Sequence, residues 1–136
     1  MGRRLVRCRT VMAFLDTHAA VFLWEGRVSV FGVAARRVLE QDTLRISPIV
    51  RLELQYLREI GRIVVNPDEI IGGLELDCAV ELARDPFEAV VGQAMSLLWT
   101  RDPFDRLLVA HAALHGARFV SRDHLVRANY ALAVWD

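Results

Sequence analysis

Four acidic residues of this 136-residue chain, Asp16, Glu53, Asp105 and Asp123, occupy the same kind of position. Asp16 follows the apolar run Val11-Met-Ala-Phe-Leu15 and leads into a helical stretch. Glu53 falls in the first two turns of the helix after a second strand. Asp105 falls in the first turn of a late helix, and Asp123 follows the last well-defined strand. In a parallel sheet, strand ends and the starts of the following helices share one edge, and open α/β sheets bind their ligands there. Carboxylates gathered at such an edge repel: at about 4 Å and an effective dielectric near 20, each pair costs roughly 4 kcal/mol. Protons or a divalent cation must offset this. An all-oxygen donor set favours Mg2+ or Mn2+ over zinc. The matching chemistry is phosphodiester hydrolysis, in which the ion lowers the pKa of its bound water and neutralises charge building on phosphorus.

Each acid also has a local explanation. Asp16 and Asp123 suit helix N-caps. Asp105 stands three residues after Asp102, as the acid of a capping box does. Glu53 suits a solvated helix face, pairing with Arg51 or Arg58. Their shared location at one sheet edge is what argues for a site. Two segments echo each other, Arg84-Asp-Pro-Phe-Glu88 and Arg101-Asp-Pro-Phe-Asp105. Both read as an Asp cap, a proline at the first helical position and an acid behind it. Their flanks differ, so this is repeated helix-start chemistry and not an internal repeat.

Other chemistries are weaker. His111 and His115 form an i, i+4 pair able to hold a metal, but their spacing supplies neither a third ligand nor the intervening Glu of a zinc hydrolase. The serines lack the glycines of a nucleophile elbow, and Gly72-Gly73 is no phosphate loop. Cys8 and Cys78 give neither a disulfide framework nor a zinc pattern, which suits a reduced cytosolic location. Phe22, Trp24 and Trp99 read as core, with one or two free to line a groove.

The elements that must position the acids follow from periodicity and punctuation. Val11–Leu15 suits a strand buried on both faces, and His18–Glu25 a helix. After a loop over Gly26–Gly32, Ala34–Gln41 reads as helix and Leu44–Ile46 as strand. Ser47-Pro48 opens a helix that runs to about Ile60 and stops at Gly61. Helices are expected over Pro67–Leu76, Phe87–Leu98, Phe104–His115 and His124–Tyr130. Strands are expected over Ala79–Leu82, Ala117–Val120 and Ala133–Trp135. Alternating strands and helices predict an α/β layer structure with a parallel sheet.

Composition sets the outer bounds. The chain is 54% hydrophobic and 25% charged, enough to fold and too short for two independent cores. Its 17 cationic residues are all Arg, and 17 acids cancel them, so bulk charge does not drive nucleic-acid binding. Any such partner must be held locally. Arg101, Arg106 and Arg122 flank the acids, placed either to grip phosphates or to pair with the same carboxylates. No apolar run reaches the roughly 18–20 residues of a membrane span. The first eleven residues are a basic extension, read either as a disordered tail or as the product of an upstream start with Met12 as the functional beginning. The domain proper is then 12–136.

Four segments together resemble the PIN-domain ribonucleases, and within them the VapC-type toxins of type II toxin–antitoxin systems. They are Phe14-Leu-Asp16-Thr-His-Ala, Ser47-Pro-Ile-Val-Arg-Leu-Glu53-Leu, Trp99-Thr-Arg-Asp-Pro-Phe-Asp105-Arg-Leu-Leu-Val-Ala110 and Phe119-Val-Ser-Arg-Asp123. The resemblance spans about Met12 to Trp135. It implies a three-layer α/β/α PIN-like fold with a central, mainly parallel sheet and an acidic pocket for Mg2+ or Mn2+. Asp16, Glu53, Asp105 and Asp123 match the family's acids as catalytic and metal-holding residues. Ser121 matches the hydroxyl residue beside the last acid, and Asp102 a common companion. The resemblance also implies a metal-dependent endoribonuclease, a VapB-like antitoxin partner and a homodimer. The absence of a basic stripe makes a structured RNA loop the expected substrate. Three rival readings stand beside this one. Metal-free cleavage by histidines would leave a 2′,3′-cyclic phosphate instead of a 5′-phosphate and a 3′-hydroxyl. A haloacid-dehalogenase-type phosphatase needs a second Asp where His18 stands. The last is an inactive PIN-like module that only binds RNA or protein.

Overall fold

A computed structural model describes residues 11–136; the proposed extension, Val11 apart, lies outside the described residues. Five strands form one sheet: β1 (Met12–Leu15), β2 (Thr43–Ile46), β3 (Glu81–Leu82), β4 (Arg118–Val120) and β5 (Ala133–Val134). Their order is β3-β2-β1-β4-β5, and every neighbouring pair is parallel. The sheet is therefore wholly parallel, within the mainly parallel α/β expectation. Chain direction across the sheet reverses at β1: the first crossovers build outward through β2 to β3, and the later strands fill the other side. The crevice at such a switch point lies beyond the carboxyl ends of β1 and β4. Asp16 and Ser121 stand at those ends, joined by the Asp16 N–H donating to the Val120 carbonyl at 3.0 Å.

Helices α1 (Thr17–Trp24), α2 (Val33–Gln41), α3 (Ile49–Glu59), α4 (Pro67–Cys78), α5 (Phe87–Ala94), α6 (Pro103–Leu114) and α7 (His124–Asn129) complete the three-layer α/β/α arrangement. The core is continuous through the sheet. Phe14, Phe31 and Phe119 are fully buried with Ile46, Leu54 and Leu74, each such side chain contributing about 1.5–3 kcal/mol by leaving water. Phe14 of β1 packs its ring on His111 and His115 of α6, at 5.0 and 5.6 Å between centroids. Helices α1 and α4 meet where Gly73 lets the Trp24 ring approach; a Cβ there would fall 2.8 Å from Trp24 Cδ1.

Element ends follow local chemistry. Gly61 and Gly116 take positive φ after α3 and α6, as expected of helix stops. Asn66 caps α4 by accepting the Asp68 N–H, with Pro67 in the first turn. Two readings need correction. The helix expected over Phe87–Leu98 ends at Ala94. The Ser96 hydroxyl then donates to the Gln93 carbonyl, and Leu97 turns in against the core. The two Asp-Pro-Phe segments also part company. Asp102 caps α6, accepting from the N–H groups of Phe104 at 2.8 Å and Asp105 at 3.4 Å. Helix α5 starts at Phe87, with Pro86 in the cap position and no side-chain cap, and Asp85 turns away toward α6. Among the described residues no helix is long and apolar enough to cross a membrane.

Candidate functional site

The acids arrive from four separate junctions. Asp16 closes β1 and caps α1, its Oδ1 accepting the Thr17 N–H at 2.7 Å. Asp123 follows β4 and caps α7, accepting the Val126 N–H at 3.0 Å. Glu53 stands in the second turn of α3, and Asp105 in the first turn of α6. The capping explanation thus holds for Asp16 and Asp123, yet capping leaves both at the same cleft. Asp16, Glu53, Asp105 and Asp123 line one cavity of about 380 Å3, with Asp102, His18, Phe22, Arg122 and Trp135 also on its walls.

Two hydroxyls fix the carboxylates. Ser121, buried beside the last acid, donates its O–H to Asp16 Oδ2 at 2.7 Å and accepts the Asp123 N–H at 3.2 Å. Thr17, fully buried, donates its O–H to Glu53 Oε1. Thr17 was not among the expected site residues; the available signal was its place directly after Asp16, at the start of the helix. Glu53 does not pair with Arg51 or Arg58. Arg51 instead grips Asp68 through Nε and Nη2, at 2.7 and 3.1 Å.

The electrostatics are those of clustered carboxylates that the neighbouring His18 offsets only in part. Among the described residues none of the five acids forms an ion pair. Burial raises the Asp16 carboxyl above its ordinary range against the Ser121 and Thr17 hydrogen bonds, with the Asp123 charge adding to the rise. Burial also raises Glu53, and the Asp16 and Asp102 charges push the same way. Asp105 goes furthest, to about 7, first by burial and then by the charges of Asp102, Asp16, Asp123 and Glu53. Among the described residues no hydrogen-bond donor reaches its carboxylate, so the capping-box explanation fails for Asp105: it does not reach back to the cap. A carboxyl so placed sits ready to exchange its proton for a metal.

The flanking arginines divide. Arg106 donates from Nε to the Ala94 carbonyl at 3.2 Å and ties α6 to α5. Arg101 is exposed. Arg122 reaches the cleft, its guanidinium 4.9 Å from the Phe22 ring centroid and 5.9 Å from that of Trp135. Phe22 thus serves as groove as well as core, and Trp135, unmarked in the sequence reading, frames the same wall. Trp24 and Trp99 pack against the core as expected.

A divalent ion suits this cleft on chemical grounds: the acids present hard oxygen donors, and Asp16, Glu53 and Asp105 are raised in pKa first by burial and then by one another's charge. Among the described residues, the acids do not draw three ligand atoms within 4.8 Å of one another.

Comparisons with known proteins bear on the family and the fold. The family model described as PIN domain matches residues 13–130. Ribonuclease VapC22 of Mycobacterium tuberculosis (strain ATCC 25618 / H37Rv) is 30% identical over 117 residues, 85% of this chain and 89% of that protein. Among solved structures, VapBC2 from Rickettsia felis bound to a DNA fragment from its promoter aligns at TM-score 0.60 and 18% identity, covering 93% of this chain and all of that one. VapBC-1 from nontypeable Haemophilus influenzae aligns at TM-score 0.63 and 17% identity, covering 93% of this chain and 97% of that one. At such identities the solved structures speak to the fold alone.

Proposed function

This chain belongs to the PIN domain family, and we propose from that premise that it is a VapC-type toxin. It hydrolyses RNA phosphodiester bonds with Mg2+ or Mn2+, and a VapB-like antitoxin holds it in check. The observation that carries the proposal is the convergence of Asp16, Glu53, Asp105 and Asp123 on one cleft, with Asp105 raised to about 7 and no cation paired with any of them. The rest of the reading is a PIN domain over 12–136, working in the cytoplasm as a homodimer on a structured RNA loop.

The four acids would hold the ion, which when bound would supply an activated water and neutralise charge on the scissile phosphate. The chain's own groups do the positioning. Ser121 and Thr17 lock one oxygen each of Asp16 and Glu53, so that the remaining lone pairs face the cleft. Asp105, raised to about 7, would have to be ionised to serve as a ligand, so binding would favour higher pH. Arg122, steadied over two aromatic faces, presents a cation at the rim for a substrate phosphate.

Purified protein supplied with structured RNA and Mg2+ or Mn2+ yields fragments with 5′-phosphate and 3′-hydroxyl ends. Asp16→Asn keeps the cap of α1, since Asn caps as well as Asp, and lowers cleavage by about 100-fold or more. Undiminished cleavage by that variant, or cleavage that persists in EDTA, would overturn the proposal. A cyclic phosphate product would move the chemistry to histidine.

A further inference from the structure

We propose that Asp85, His111 and His115 form a second metal site, separate from the acidic cleft, that takes a borderline first-row cation such as Zn2+ or Co2+. The i, i+4 histidines lacked a third ligand in the sequence, and the fold supplies it from the loop between β3 and α5. Asp85 Oδ2 lies 2.8 Å from Nε2 of His111 and 2.8 Å from Nε2 of His115. One ligand atom from each residue lies within 4.8 Å of the other two. Ligand atoms of a tetrahedral zinc stand about 3.3–3.5 Å apart, given metal–ligand bonds of about 2.0–2.2 Å. Parting Asp85 from the rings by roughly half an ångström brings its two oxygen–nitrogen separations to that spacing, and the two nitrogens already lie within 4.8 Å of each other.

Three further features suit a site and not a chance contact. Asp85 stands where Asp102 stands in the twin segment, yet it leaves α5 uncapped to face both imidazoles. His111 is buried to 2%, and its other nitrogen, Nδ1, lies 2.8 Å from Ser47 Oγ. A ligating histidine commonly has its second nitrogen held this way, which fixes the ring and its tautomer. Phe14 packs against both rings and restrains them further.

The protons balance. Without an ion, each Nε2–H donates to Asp85, and the Ser47 O–H donates to His111 Nδ1. With an ion, His111 carries its proton on Nδ1 and donates to Ser47 Oγ, leaving Nε2 for the metal; His115 changes tautomer likewise. Two imidazoles and a carboxylate select a first-row transition ion over Mg2+. Solvent reaches the trio through Asp85 and His115, whose side chains are 22% and 23% exposed, so water can fill a fourth position. His111 and His115 lie about 9 and 15 Å along the α6 axis from Asp105, at 1.5 Å per residue. An ion here pins the Ala83–Pro86 loop to α6 and leaves the acidic cleft free.

Co2+ titration of the chelator-treated full chain reads the site directly. Four-coordinate Co2+ with nitrogen donors absorbs visible light strongly, whereas six-coordinate Co2+ among oxygens absorbs weakly. The expected result is one strongly absorbing Co2+ per chain, displaced by Zn2+, retained in Asp16→Asn and weakened by about 100-fold or more in His115→Ala and in Asp85→Asn. Zn2+ also raises the melting temperature of the wild type and of Asp16→Asn. No strongly absorbing Co2+ in the folded wild type, or a signal that disappears with Asp16→Asn, overturns the proposal. In that case the trio is a hydrogen-bonded brace. Neither result bears on whether the acidic cleft cleaves RNA.

Discussion

Asp105 offers the sharpest test of the acidic cleft, because its predicted effect on stability has an unusual sign. Its carboxyl is raised from 3.8 to about 7 in the folded chain. Between those values the folded state holds a proton that the unfolded state has released. Stability therefore falls as pH rises from about 4 and levels off above about 7. At 1.36 kcal/mol per pH unit the ceiling on this loss is about 4 kcal/mol. The carboxylate is partly exposed, and solvent screening brings the expected loss down to about 1–2 kcal/mol. Asp105→Asn imitates the protonated form and escapes it. By calorimetry in EDTA, the variant should melt above the wild type by roughly 3–8 °C at about pH 8, and by much less near pH 4.5. Adding Mn2+ should reverse the order, since the wild type gains a ligand-bound state that the variant lacks. A gap that stays constant across this pH range, or a variant less stable than wild type at about pH 8, would refute the claim that uncompensated charge strains the cleft.

Two further outcomes follow from named contacts. Thr17→Val removes the hydroxyl that stabilises the ionised Glu53 while keeping shape; the acid limb of the cleavage pH profile should move to higher pH, with little change on the plateau. Gly73→Ala should cost about 1–3 kcal/mol in urea denaturation, because its methyl would press on the Trp24 ring where α1 meets α4.

Much of this molecule was legible from local chemistry. The run Val11–Leu15 between a basic tail and Asp16 marked a buried strand, which the fold begins one residue later at Met12. Asp102-Pro103 and Gly116 bracketed α6 almost to the residue. The convergence of the four acids required only that the sheet be parallel. What stayed hidden depended on contacts across the fold. Nothing in Arg84-Asp-Pro-Phe-Glu88 distinguishes it from its twin; only the packing of α6 beneath β1 shows that Asp85 has two histidines to meet. Thr17 likewise reads as an ordinary first-turn residue until α3 brings Glu53 across to its hydroxyl. The end of α5 at Ala94 was missed because Met95, Leu97 and Leu98 continue a helical hydrophobic pattern that Ser96 interrupts.

The step from Asp16 to Thr17 has a consequence for how this chain can vary. Asp16 is itself one pole of the cleft, and its successor tethers Glu53 from 36 residues away. Adding or deleting one residue there would rotate the following side chain by about 100° around the helix axis. The hydroxyl would turn away from Glu53, which would lose its tether. Relatives of every length should therefore share this junction without a gap, while an insertion in the turn between α3 and α4 is best placed at exposed Gly61 and Arg62, since Ile63 and Val65 pack against the core.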